Sequence, residues 1–161
     1  MNWEEFGIVH FPLNISIKLK QPIVNECSIF SSAMAPFKLA YETTGNGKYI
    51  FMYKNGDDLR QDQLILEMFS LMDKLLKGVN QDYKLTPYKA LACSKSDGFV
   101  EFVPKTRTFQ DTDLKEHLQK LIQKRSEVVM ENYVFSTAGY CAMTYFFIIG
   151  DRHLENLLID E

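Results

Sequence analysis

Asp151, His153 and Asn156 stand within one short stretch, Gly150-Asp151-Arg152-His153-Leu154-Glu155-Asn156. A carboxylate, an imidazole and an amide so close together are the side chains that phosphoryl transfer calls on. One group orients or deprotonates a hydroxyl, and an oxygen ligand holds a metal ion. The same types also serve a helix-terminal turn in which Asp, His and Asn bond the local backbone, and these residues alone leave both readings open. Lys54 is a second candidate. It ends a strand face otherwise made of Ile50 and Met52. An ammonium held there wants an anionic partner, because burying it unpaired is costly, although a strand-end lysine can also snorkel to water. Asp62 lies within reach, and an Asp62–Lys54 pair would satisfy the lysine; Asp62 equally suits a solvated place at the positive end of a helix. A third candidate is the small-residue turn around Ser31-Ser32-Ala33. Its hydroxyls and N–H groups can approach an anion, or it is an ordinary polar hairpin turn. Without glycines it is neither a Walker loop nor the Gly-rich loop of a protein kinase.

The elements that position these groups follow from pattern. Ala142 to Ile149 is apolar enough for a buried helix leading into the Asp151 stretch, and Gly150 can supply its left-handed stop. Ile15, Ile17 and Leu19 alternate with polar residues and predict a short strand. Phe37 to Glu42 and Lys48 to Lys54 predict two more, joined by the turn Thr44-Gly45-Asn46-Gly47. Period two puts Tyr49, Phe51 and Tyr53 on the face opposite Lys54. Asn55-Gly56 turns the chain, and Asp57 or Asp58 caps a helix from about Leu59 to Lys77 that Gly78 ends. Two stripes, Leu64/Met68/Leu71/Leu75 and Ile65/Phe69/Met72/Leu76, predict a broad buried face. A strand from Lys84 to Cys93 is expected to pair with Phe99 to Val103 as a hairpin. From Asp113 the pattern is helical: one helix carries Leu114, Leu118, Leu121, Ile122 and Arg125, and a second runs from about Val128 toward Ile149. The shift between Pro104 and Asp113 marks a boundary.

Composition narrows the function classes. The 161 residues are 46% hydrophobic and 13% aromatic, enough for a sizeable core. A net charge of −3, from 18 basic and 21 acidic residues, argues against nucleic acid as the main partner. Cys27, Cys93 and Cys141 have neither zinc spacing nor an even count, which fits a reducing compartment. Met1 to His10 lacks a signal peptide's basic start and apolar run, and Ala142 to Ile149 is too short to span a bilayer.

A strand-rich half carrying a lysine, joined to a helical half carrying Asp, His and Asn, is a kinase-like layout. Four motifs in order make the resemblance specific: Lys54-Asn55-Gly56-Asp57-Asp58-Leu59-Arg60-Gln61-Asp62-Gln63, Leu85-Thr86-Pro87-Tyr88-Lys89-Ala90-Leu91-Ala92, Ala138-Gly139-Tyr140-Cys141, and Gly150 to Asn156. From about Phe11 to Glu161 the chain resembles the catalytic domain of the phosphatidylinositol 3-kinases, and Thr86-Pro87-Tyr88 with Leu154 point to the class III enzymes. A protein kinase is disfavoured, since Asp151-Arg152-His153 reverses the His-Arg-Asp order.

The resemblance implies an α+β, bilobal protein-kinase-like fold. Residues 1–104 would be the strand-rich N-lobe and 105–161 an incomplete helical C-lobe. It implies ATP with Mg²⁺ or Mn²⁺, and transfer of the γ-phosphoryl to the 3-hydroxyl of phosphatidylinositol. Lys54 looks like the lysine that reaches the phosphates and Asp62 like its nearby carboxylate, while Ser31 and Ser32 match the phosphate-binding loop. Tyr88 matches a pocket-lining tyrosine, and Glu101, Phe102 and Val103 the hinge whose backbone holds adenine. Asp151 and His153 resemble the catalytic pair, and Asn156 a metal-binding amide. Which of the pair takes the hydroxyl's proton stays open, although histidine as a residue type titrates nearer neutrality. Partners implied are phosphatidylinositol in membranes, a kinase-like regulatory subunit, and autophagy and endosome-sorting subunits. The implied location is cytoplasmic and peripheral on endosomal or autophagic membranes.

Departures from the family pattern are equally plain. The family has an Asp-Phe-Gly downstream of this loop whose Asp is a principal Mg²⁺ ligand, then an activation loop that reads the lipid headgroup, then closing helices. The sequence stops at Asp160-Glu161, and Asp160 precedes the expected position. Neither a C2 nor a helical accessory domain precedes the motifs, and Lys105 to Asn132 looks short. With one amide left to it, the metal is expected to bind weakly, and the isolated chain to show feeble or no lipid kinase activity. The alternative is a non-catalytic product that binds nucleotide weakly or serves as an interaction module.

Overall fold

A computed structural model describes residues 7–32 and 34–160, with the backbone alone at 124–126. Ala33 of the serine turn and the Arg125 side chain lie outside the described residues. The chain is α+β and divides into two compact units, Met1–Glu67 with Tyr88–Phe102, and Met68–Pro87 with Val103–Glu161.

The first unit is built on an antiparallel sheet. Its strands are β1 (Val9–Phe11), β2 (Asn14–Pro22), β3 (Ser28–Ile29), β4 (Phe37–Thr43), β5 (Lys48–Asn55), β6 (Ala90–Ala92) and β7 (Asp97–Glu101). Their order is β1-β2-β4-β5-β7-β6, with β3 pairing β4 off that path. Alternation in β5 fills both faces, as the sequence predicts. Phe51 joins Phe11 and Leu19, surrounded by Tyr41, Tyr49 and Phe99. Met52, on the opposite face, packs on Leu59, Ala90 and Val100. Phe11 and Leu59 are fully buried, and each such side chain stabilises the fold by about 1.5–3 kcal/mol. The β4–β5 turn closes through Thr43 N–H to Gly47 O at 2.9 Å, with Asn46 left-handed at φ 58°. The expected strand from Lys84 is cut to β6. Pro87 offers no N–H to a strand ladder, and Lys84 is itself left-handed at φ 52°. Likewise β7 ends at Glu101, short of Val103.

Helix α1 (Arg60–Gly78) starts where Asp58 Oδ1 accepts from Arg60 N–H at 3.2 Å. Only one of its two predicted stripes turns inward: Phe69 and Asp73 are buried, whereas Leu64, Leu71 and Leu75 are exposed. The broad buried face is therefore corrected to a narrow one. Gly78 is the last helical residue but not the cap. Gln81 N–H reaches Leu76 O and Asn80 N–H reaches Lys77 O, with Asn80 at φ 60°. That is a Schellman motif built on Asn80.

The second unit holds most of the helical sequence. The two helices expected after Asp113 are one, α2 (Leu114–Phe146), of 33 residues. Nothing between Ile122 and Val128 is Gly or Pro, so the polar stretch there marks no break. Asp113 caps α2, accepting from Glu116 N–H at 3.0 Å. The end of α2 also departs from expectation. Ile149 N–H bonds Thr144 O at 2.9 Å and Ile148 N–H bonds Tyr145 O at 3.2 Å, again a Schellman pattern. The left-handed residue is Ile148 at φ 53°, and Gly150 is not left-handed. The buried helix predicted for Ala142 to Ile149 is largely exposed: Met143 is buried, but Tyr145, Phe146 and Ile148 stand in solvent. Strands β8 (Thr106–Thr108) and β9 (Leu158–Asp160) pair antiparallel beyond it. No helix among the described residues is long and apolar enough to cross a membrane.

Candidate catalytic and nucleotide-binding residues

In the first unit, Lys54 sits near the end of β5, opposite Gly98 of β7. Its Nζ donates to Asp57 Oδ2 at 2.9 Å, with the two side chains 28% and 33% exposed. The lysine's carboxylate is thus Asp57, three residues on across the Gly56 turn, and the expected pairing with Asp62 is corrected. Asp62 lies exposed in the first turn of α1. Asp57 is delivered by the turn: Gly56 is left-handed at φ 86°, and Gly56 N–H and Asp57 N–H both donate to Ser96 O. A half-exposed pair of this kind contributes about 0–1 kcal/mol, so the lysine can exchange Asp57 for a stronger anion. Asp58 is held by Arg60 through Nε to Oδ1 at 2.8 Å and Nη2 to Oδ2 at 2.6 Å. Those bonds, with the Arg60 N–H, bring its carboxyl down to about 2.

Ser31 and Ser32 are exposed at the tip of the β3–β4 hairpin. The turn closes through Phe30 N–H to Pro36 O and Ala35 N–H to Ser32 O. Met34 of the same turn reaches Gly56, its Cε lying 3.3 Å from where a Cβ would be. The serine turn and the Lys54-Asn55-Gly56 corner are therefore brought together. Tyr88 is partly exposed. The Glu101 backbone N–H bonds Lys89 O at 2.8 Å, while its carboxylate accepts from Lys89 N–H at 3.1 Å and Tyr49 hydroxyl at 3.3 Å. Burial first, and then Glu101, push the Tyr49 phenol up to about 12. Lys38 Nζ stands 5.0 Å over the Phe102 ring. The division between the two units falls between Phe102 and Val103.

In the second unit the Asp151 stretch is an open loop between α2 and β9. Asp151 is left-handed at φ 51°. Its carboxylate is 3.4 Å from His153 Nε2, and Glu155 is 4.0 Å from His153 Nδ1. Asn156 Nδ2 donates to both the carbonyl and the carboxylate of Asp151, each at 3.1 Å. The three predicted side chains are thus brought together. The amide's donors are turned to Asp151, which leaves its carbonyl oxygen as the end suited to a cation. The loop is tethered to the stretch between β8 and α2 by Gln110 N–H to Leu154 O and Phe109 N–H to Leu157 O. Val103 O accepts from Thr106 Oγ1 at 3.1 Å.

Sequence reasoning missed the role of Tyr140, although it stands in one of the four motifs. Its hydroxyl accepts from Thr86 N–H at 3.0 Å. Burial raises its phenol and Asp73 adds to that, while Thr86 N–H and Arg152 act the other way. Asp73 is itself buried and bonded to Lys77 at 2.7 Å. Gly139 makes room for this contact, since a Cβ there would lie 2.9 Å from Leu85 Cδ2 and 3.0 Å from Tyr83 Cβ.

The family model described as phosphatidylinositol 3- and 4-kinase matches residues 48–130 and 110–161. Similar proteins include phosphatidylinositol 3-kinase VPS34 of Candida glabrata, 41% identical over 96% of this chain and 18% of that protein. Phosphatidylinositol 3-kinase pik3 of Schizosaccharomyces pombe is 39% identical over 98% of this chain and 21% of its own length. VPS34 of Saccharomyces cerevisiae is 40% identical over 94% and 18%. The chain spans about a fifth of the length of the curated relatives it matches.

Proposed function

The chain belongs to the phosphatidylinositol 3- and 4-kinase family, and we propose that it carries ATP-binding and catalytic-loop residues of a class III phosphatidylinositol 3-kinase. The observation that carries this reading is the Asp151–His153–Asn156 cluster, held by two hydrogen bonds and a 3.4 Å contact. On this reading residues 1–104 act as the N-lobe and 105–161 as part of the C-lobe. Lys54 leaves Asp57 for the ATP phosphates, helped by the backbone and hydroxyls of Ser31 and Ser32. Backbone groups of Glu101, Phe102 and Val103 hold adenine, and Tyr88 lines the base.

In the reaction, the 3-hydroxyl oxygen of phosphatidylinositol bonds to the γ-phosphorus, the bond to the β-phosphate oxygen breaks, and ADP leaves. His153 takes the hydroxyl proton at Nε2, and Asp151 beside it stabilises the resulting imidazolium. Asn156 Oδ1 is the oxygen that would hold Mg²⁺ or Mn²⁺, an ion that neutralises phosphate charge when bound. Asp62 stays exposed at the positive end of α1, where its charge suits the helix dipole. The protein acts peripherally at the face of endosomal or autophagic membranes, with regulatory subunits of the kind the resemblance implies.

Thermal shift tests the nucleotide half: ATP with magnesium is expected to raise the unfolding midpoint of the wild type and not of Lys54→Met. Incubation with labelled ATP, manganese and phosphatidylinositol vesicles tests the chemistry, with 3-phosphate product expected to fall at least 100-fold in His153→Ala, on the order of a lost general base. An ATP response equal in wild type and Lys54→Met overturns the assignment of the lysine.

A further inference from the structure

Tyr140 meets three segments of the second unit. Its hydroxyl takes the Thr86 N–H at 3.0 Å, the donor left without a strand partner by the Pro87 break. Its ring lies 6.1 Å from the Phe69 ring, and Phe69 in turn stacks at 5.7 Å on Phe147. Phe147 is the C-cap of α2, one residue before the left-handed Ile148 and four before Asp151. The hydroxyl also lies in the field of two opposite charges, Asp73 from α1 and Arg152 from the loop itself. Phe69 and Asp73 are one turn apart and are the two residues that α1 buries. Gly139 has no side chain to keep Tyr83 and Leu85 away from this face of α2. A tyrosine bonded to backbone on one side and stacked toward a helix exit on the other has the contacts of a brace.

We infer that Tyr140 is a positioning residue for the catalytic loop: its hydroxyl ties the Thr86 backbone to α2, and its ring, through Phe69, fixes the exit from which Asp151 and His153 hang. The effect on catalysis rests on the reading proposed above; the mechanical role does not.

The test is hydrogen–deuterium exchange of the whole chain, comparing wild type, Tyr140→Phe and Phe69→Leu. Tyr140→Phe keeps the ring and removes only the oxygen. Its Thr86 amide is expected to exchange roughly 3- to 10-fold faster, the loss of one hydrogen bond, and residues 148–156 are expected to speed up with it, while the first half of α2 is unchanged. Phe69→Leu is expected to speed 148–156 and leave Thr86 slow. Exchange at 148–156 that is the same in Tyr140→Phe as in the wild type overturns the brace. Where the wild type transfers phosphate, Tyr140→Phe is expected to lower kcat and leave the KM for ATP unchanged; a raised KM with unchanged kcat overturns the positioning role. A wild type that transfers none is what the missing metal ligand leads one to expect of the isolated chain, and the exchange result then decides the brace alone.

Discussion

Replacing Gly98 by alanine adds one methyl group at the most crowded glycine of the first unit. The new Cβ would clash with Leu91 O and lie 2.9 Å from Leu59 Cδ1 and 3.1 Å from Ala92 Cα. Two of these three atoms are backbone of β6, so no rotamer change relieves the clash. The third belongs to Leu59, which is fully buried. Strand β6 must move off β7, loosening the pairs Leu91↔Phe99 and Ala92↔Gly98. Overpacking of this kind costs about 1–3 kcal/mol, and each weakened ladder bond adds about 1 kcal/mol. A total of about 3 kcal/mol follows, or a fall in Tm of roughly 6–12 °C for a chain of this size. Gly45→Ala is the matched control, since a Cβ there meets nothing within 4 Å; it is expected within about 0.5 kcal/mol of the wild type. Circular dichroism melts of the three proteins give the comparison. Gly98 also faces Lys54 across the β5–β7 ladder, so weaker ATP protection in Gly98→Ala is expected alongside the lower Tm. A Gly98→Ala melt that coincides with that of Gly45→Ala refutes the packing argument.

Ile148→Gly should raise stability, because an L-residue held left-handed costs about 1–2 kcal/mol and the Ile148 side chain is 89% exposed, with little burial to lose; guanidinium unfolding measures the gain. Glu101→Gln should bring the Tyr49 phenol down from about 12 toward its ordinary 10.0, read by phenolate absorbance. The sign follows from the raised value: the stability that Tyr49 adds is complete below pH 10.0 and is lost as pH rises through about 12. The alkaline limb of the wild-type melt is therefore expected to fall in that window, and to fall less in Glu101→Gln.

Strands β2, β4 and β5 were the legible part of the sequence. Alternation in β2 and β5 and the Asn46-Gly47 turn fixed pairing that a period-two pattern can report. The loop cluster was legible too, because Asp151, His153 and Asn156 are close in sequence and local geometry alone joins them. Partner choice was harder. Asp57 and Asp62 are both near Lys54 in sequence, and only the left-handed Gly56 and the shared Ser96 carbonyl decide for Asp57. Helix ends misled for one reason: Gly78 and Gly150 drew the stop signals, while Asn80 and Ile148 carry the left-handed turns. The α1 stripes show a further gap, since apolar periodicity gives the axis of a helix face but not which of two adjacent stripes finds a partner. Tyr140 was passed over because one hydroxyl accepting one backbone proton leaves no periodic trace.

The β5–β7 pairing has a consequence in time as well as in space. Phe51 lies opposite Glu101 and Lys54 opposite Gly98, with all of α1 and the Thr86-Pro87 segment lying between the two strands along the chain. That ladder forms only after a long excursion has closed, and its entropic cost is met before any contact rewards it. Helix α2, whose bonds join near neighbours, needs no such closure and can elongate on the nanosecond-per-residue scale. During refolding the helix that leads to Asp151 is thus expected to appear first. The corner that seats Lys54 follows in the slowest step, the stage at which its strand edges are open to the wrong neighbour.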